Sequence, residues 1–194
     1  GLFTTIGLFA HLVITWCGPL GIKVKGLFYG APYYDVPAML AFLTILITTV
    51  NFVVSVEVNF YPTYRSYYSL LNDGDTVKDI TVAENEMLAV LNRELHYTAL
   101  KQLLVTAAVI SLEKTALNAL PLGFNDAMHG YFRVLCVGYA LYAVGNTIML
   151  ILLYFTDYSG ALTASALFAG STVVFTVIGQ FFTTSLFGFG FLLL

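Results

Sequence analysis

The chain has little charge. Only 10% of its 194 residues are Asp, Glu, Lys or Arg, and 59% are hydrophobic, whereas an ordinary soluble domain carries roughly 25% and 45–50%. That shortage excludes a soluble enzyme. Sixteen Phe and 13 Tyr on 21.3 kDa present more apolar surface than a chain of this size can hide from water. With mean hydropathy at +0.85, the solvent is lipid. Basic residues are as scarce as acidic ones, eight against eleven, so the net charge of −3 leaves no footprint for nucleic acid. Cysteine is scarcer still: Cys17 and Cys136 lie inside apolar runs, with no Cys-x-x-Cys and no His-x₃-His spacing. Neither a disulfide framework nor a metal centre is expected, and both thiols read as small core residues. No Gly-x-x-x-x-Gly-Lys phosphate loop occurs. His11, His96 and His129 fall in different segments, and no nucleophile stands beside a base. The chain is therefore expected to use no cofactor and not to be an enzyme.

What it does have is long uncharged runs, and a helix rising 1.5 Å per residue needs about 20 apolar residues to cross a bilayer core of about 30 Å. Gly1 to Ile22 qualifies, broken by Gly18-Pro19 and Gly21. Lys23 to Asp35 reads as a loop, with Tyr29, Tyr33 and Tyr34 suited to the membrane interface. The second span is Val36 to about Phe60, uncharged as far as Glu57. A third runs from about Tyr97 to Leu120, where Glu113-Lys114 mark the boundary and Pro121, Gly123 and Asn125-Asp126 end it. The fourth is Val134 to Thr156, closed by a tight turn at Asp157-Tyr-Ser-Gly160. The uncharged stretch from Tyr158 to Leu194 fits one span near 161–182, a break at Thr183-Thr-Ser185, and the start of another. The fold class is thus all-α: a polytopic transmembrane bundle of about five complete spans and a truncated sixth. No signal peptide is evident, and the start at Gly1 and the short apolar ending suggest a piece of a longer protein.

Between the second and third spans the composition changes. Residues 61–68 are aromatic and polar, and Asn72-Asp-Gly-Asp75 is a turn signal. Thr76-x-x-Asp79 then resembles a capping box. Val77, Ile80, Met87, Leu88, Leu91 and Leu95 recur at helical spacing against Lys78, Glu84, Glu86, Arg93 and Glu94. This predicts an amphipathic helix outside the membrane core within a 61–95 loop. Positive charge divides evenly between the two sides, so it does not orient the chain; the loop is placed in the cytoplasm because three of its basic residues lie close to span ends. The glycines at 138–145 and 160–170 are read as sites of close helix approach.

Particular motifs resemble a known family. Glu57-Val-Asn-Phe-Tyr-Pro-Thr-Tyr-Arg-Ser-Tyr-Tyr68 resembles the Glu-x-x-Phe-Tyr-x-x-Tyr-Arg-x-Tyr-Tyr segment of the PelG family, the multi-spanning component of Pel exopolysaccharide export. Tyr34-Asp-Val-Pro-Ala-Met-Leu-Ala41 is similar to its Tyr-Asp-x-x-x-x-Leu-Ala helix start, and Leu153-Tyr-Phe-Thr-Asp157 and Gly188-Phe-Gly-Phe191 fit its late spans. The resemblance covers nearly the whole chain. It implies that residues 1–194 are the C-terminal half of a two-half, flippase-like transporter of about twelve spans in the cytoplasmic membrane. It also implies an exopolysaccharide cargo, a partly deacetylated amino-sugar polymer, and as partners the lipid bilayer, an N-terminal half, a glycosyltransferase and other membrane subunits. One departure stands out. Where the family often carries an Asp-Lys pair, this chain reads Ala10-His-Leu-Val-Ile14, so that pair's role does not carry over and His11 is the polar group at hand.

The residues expected to line a substrate path are Asn51, Glu57, Arg65, Asn146 and Gln180. A charge at membrane depth costs about 2.5–3.5 kcal/mol, so Glu57 asks for a reason. It could bind sugar hydroxyls or a cationic amino sugar, exchange a proton, or simply sit at the interface paired with a nearby Arg or Lys. Asn146 and Gln180 lie deep in apolar spans, where interhelical hydrogen bonding is the simpler role. The tyrosines at 61–68 could stack on sugar rings, although an aromatic belt also explains them. Two rivals remain: a structural scaffold for a polysaccharide synthase, and a flippase for lipid-linked precursors or drugs.

Overall fold

The computed structural model describes residues 1–74 and 76–181. It is a helical bundle with one small hairpin. Helix α1 (Leu2–Trp16) leads to an antiparallel pair, β1 (Ile22–Lys25) and β2 (Phe28–Gly30). Helix α2 (Pro32–Ser55) then passes through a π-helical turn (Val56–Phe60) into α3 (Tyr61–Asp73). Three further helices follow, α4 (Val77–Asn118), α5 (Asp126–Tyr154) and α6 (Tyr158–Phe181).

Four helical stretches are long and apolar enough to cross a membrane: Pro32–Asp73, Val77–Asn118, Asp126–Tyr154 and Tyr158–Phe181. Helix α1 is apolar but only 15 residues long, about 22 Å at 1.5 Å per residue. The expected Gly1–Ile22 span is therefore shorter than its uncharged run, because Gly18-Pro19 stops the helix and Gly21 and the hairpin follow it. Cys17 is exposed at the C-cap of α1, contrary to its expected core position, whereas Cys136 is buried. The Thr183-Thr-Ser185 break and the sixth span lie outside the described residues.

Local chemistry sets the helix ends. Pro32 opens α2, where its missing N–H would have had no partner in any case. Thr76 Oγ1 accepts from Asp79 N at 3.3 Å, one half of the expected capping box, and Asn125 Oδ1 accepts from Met128 N at 2.9 Å to start α5. Gly74, at φ +75°, closes α3 in the left-handed conformation typical of helix ends.

Two boundaries differ from expectation. The helix of the second span does not end near Phe60 but continues to Asp73. The amphipathic helix and the third span are one helix of 42 residues, about 63 Å long. No Gly or Pro interrupts 77–118, and the composition changes near Leu95 along a continuous backbone. Helices α3 and α4 therefore pair into an arm that reaches well beyond a hydrocarbon core of about 30 Å.

Packing joins α1 to α6, and α5 to both α2 and α4. One core, around Tyr34, Ala38, Ala41, Leu135, Cys136 and Tyr139, fills the space between α2 and α5. A second, around Phe52, Val56, Phe60, Met87 and Ile151, sits where the arm leaves the bundle. Close helix approach occurs at Gly7, where a Cβ would meet the Phe168 ring at 2.2 Å, while the space beside Gly145 and Gly170 is open. Of the two glycine stretches expected to allow such approach, the first has Gly138 buried in α5, and the second carries buried Ala161, Ser165 and Ala169 on α6, the helix that packs against α1.

Candidate functional site

The π-helical turn is the first irregularity of interest, since such turns put one extra residue into a helix and often mark functional positions. Its two ends, Val56 and Phe60, are buried, and Glu57, Val58 and Asn59 between them are exposed. Tyr154 donates its hydroxyl to Oε1 of Glu57 at 3.2 Å. Beside it, Phe60, Tyr64, Tyr154 and Phe155 pack as an aromatic cluster, and the Tyr64 hydroxyl donates to the Tyr154 carbonyl at 3.1 Å.

The five expected path residues do not converge within the chain. Asn51, Glu57 and Arg65 are exposed along α2, the π turn and α3. Gln180 donates to the Ile14 carbonyl at 2.6 Å, closing the α1–α6 contact. Asn146 lines a crevice of about 190 Å³ between α1, α5 and α6, with Thr4, Tyr142, Ser165 and Phe168 among its walls. Among the described residues the Asn146 amide has no hydrogen-bond partner. Tyr142 and Phe168 face each other there at 5.4 Å between ring centroids.

Three polar clusters were not anticipated. The first concerns Glu113, which is 2% exposed. Arg133 holds its Oε1 through Nε at 2.8 Å and through a second guanidinium nitrogen. His129 donates from Nδ1 to Oε2 at 2.9 Å, and its Nε2 lies 3.2 Å from Asn118 Oδ1. Helices α4 and α5 are thereby joined near the 119–125 connection. Lys114 stays exposed, as an interfacial lysine would.

The second cluster places Glu94 inside. The sequence puts it on the polar face of α4, yet it is buried. Ser55 Oγ and Asn59 Nδ2 donate to its two oxygens, the latter at 3.3 Å, and Arg93 lies 3.5 Å away. The carboxylate so ties α4 to the α2 end and the π turn. The third cluster is His11, fully buried between the hydroxyls of Tyr34 at 2.9 Å and Tyr139 at 3.2 Å. His96 is exposed and lies 2.7 Å from the Asn92 carbonyl.

One signal could have found the first two clusters. Glu94, Thr98, Gln102 and Thr106 recur at every fourth residue, and Glu113 follows seven later. In a span surrounded by lipid, such a polar stripe faces protein, and all five of these residues are buried.

Long apolar helices with polar groups paired across their contacts define a multi-pass helical membrane protein. The chain belongs to the PelG family: the family model described as "Putative exopolysaccharide Exporter (EPS-E)" matches residues 1–193. That is a family of exporters and not of enzymes. No curated protein and no solved structure matches the chain.

Proposed function

We propose that the chain carries an exopolysaccharide across the cytoplasmic membrane, as the membrane transporter component of a Pel-type biosynthesis system. Family membership supports the cargo. The observation that carries a path is the Asn146 crevice. The Asn146 amide, half-buried on a helix long and apolar enough to cross a membrane, turns two donors and an acceptor to the crevice, and in hydrocarbon such a group costs several kcal/mol unless something polar meets it. Sugar hydroxyls, which donate and accept, fit such a group. The aromatic pair of Tyr142 and Phe168 offers ring faces for the sugar's C–H surface. Movement would come from one bundle rocking against a second half, with a glycosyltransferase supplying polymer from the cytosol.

A specific observation favours the scaffold reading: Gln180, an expected path residue, is spent on an α1–α6 hydrogen bond. The two readings separate on where polymer accumulates. In cells carrying the full-length protein with Asn146→Leu, a transporter leaves polymer inside while secretion falls severalfold. For a scaffold, polymer is either made and secreted normally or missing from both compartments.

A further inference from the structure

The hairpin between α1 and α2 is built unlike a connection that faces water. Its two-residue turn is Gly26-Leu27, with Gly26 at φ +62°, the left-handed conformation that hairpin turns favour. Leu27 at the tip is 92% exposed and Phe28 77%. Ile22, Val24 and Tyr29 are exposed as well. Register gives each lysine an aromatic neighbour, Lys23 opposite Tyr29 and Lys25 opposite Phe28.

Charge along the chain up to and through the hairpin has one sign. Residues 1–34 contain no Asp or Glu. The first acid, Asp35, is turned inward: its carboxylate accepts from Trp16 Nε1 at 2.9 and 3.0 Å and from Ala31 N at 2.8 Å. These bonds tie the end of α1 to the start of α2 and hold the hairpin at the end of the bundle. Tyr33, also exposed, flanks it.

We propose that this hairpin is an interfacial anchor that inserts Leu27 and Phe28 into the acyl boundary and binds anionic lipid headgroups through Lys23 and Lys25. Three observations converge on that occupant. The hairpin joins the apolar helix α1 to the N-terminal end of α2, which belongs to a helix long and apolar enough to cross a membrane, so it stands where such a helix meets the headgroups. Its exposed apolar side chains need a non-aqueous neighbour. Lysine beside aromatic, with no carboxylate within residues 1–34, is the pairing that lets an ammonium reach a phosphate while its stem and the ring stay in the apolar layer. This inference does not depend on the export reading.

The test uses the full-length protein in lipid nanodiscs, with Cys17 and Cys136 replaced by Ser and a nitroxide placed at Leu27→Cys. Power saturation compares access by oxygen, which enters the acyl layer, with access by a water-soluble nickel complex. The expected result is a label open to oxygen and shielded from nickel in phosphatidylglycerol discs. In the K23Q/K25Q background, or in phosphatidylcholine discs, it should become shallower. Access by nickel in every disc would place the hairpin in water and overturn the proposal. Shielding from both reagents would bury it against protein and do the same. A depth indifferent to lipid charge and to K23Q/K25Q would overturn the headgroup role of the lysines.

Discussion

Arg133 donates from Nε to Oε1 of Glu113 at 2.8 Å across the contact between α5 and α4. The carboxylate is buried, whereas the Arg133 side chain is 45% exposed, so the partners are not equivalent. Removing the arginine leaves a buried charge with only His129 beside it. Arg133→Leu is expected to cost about 3 kcal/mol, the low end for a broken buried pair. Glu113→Gln leaves a guanidinium that can reach solvent, and about 2 kcal/mol or less is expected once screening is counted. Replacing both by Leu should recover most of the loss. Thermal unfolding of the four proteins in detergent checks the order; an additive double variant would sink the pairing.

Glu57 presents the opposite case. It is exposed and its described hydrogen bond comes from the neutral Tyr154 hydroxyl, so Glu57→Gln strands no charge. The protein should accumulate in the membrane at its normal level. Secreted polymer should fall if the carboxylate meets cargo. Normal secretion would remove Glu57 from the path, and loss of the protein would show that the carboxylate is structural.

Asp157 starts α6 with a charged cap. Its Oδ1 accepts from Gly160 N and from Ser159 Oγ, each at 2.9 Å. The Gly160 bond first and the Ser159 bond second hold its carboxyl below the usual range. The folded value is depressed, so the stabilisation is complete above the ordinary carboxyl range and is lost as pH falls through the folded value. Amide exchange over 158–161, corrected for intrinsic rates, should therefore quicken in acid. Asp157→Asn keeps an acceptor but does not titrate, so its corrected exchange should stay level with pH.

The α3–α4 arm yields a topological prediction. With Cys17 and Cys136 replaced by Ser, Lys78→Cys should react with an impermeant thiol reagent in inverted vesicles and stay protected in intact cells. Rapid labelling from outside would reverse the orientation.

A further consequence concerns Glu94. Because Ser55 and Asn59 both donate to it, Glu94→Leu should cost about 1–3 kcal/mol, the penalty for leaving buried polar groups unpaired. Hydrogen exchange should rise at the π turn more than in α6. Equal rises in both would mean that the whole bundle had loosened.

Much of this protein was determined by sequence alone. The lack of charge requires lipid, and the uncharged runs place the α2, α4, α5 and α6 spans, because hydropathy acts on every residue of a run regardless of its neighbours. Thr76, Asn125 and Asp157 mark their helix starts through bonds no more than a few residues long. The partner of a polar side chain is a different kind of fact. Glu113 and Arg133 are 20 residues apart, Ser55 and Glu94 are 39 apart, and His11 and Tyr139 are 128 apart. Nothing local sets which helix stands beside which. Tertiary packing decided that Glu113 and Glu94 face inward, that Cys17 faces outward, and that α4 runs unbroken from the arm into the bundle. The physical reason is that a helix satisfies its own backbone, whereas its side chains find partners only when another helix arrives.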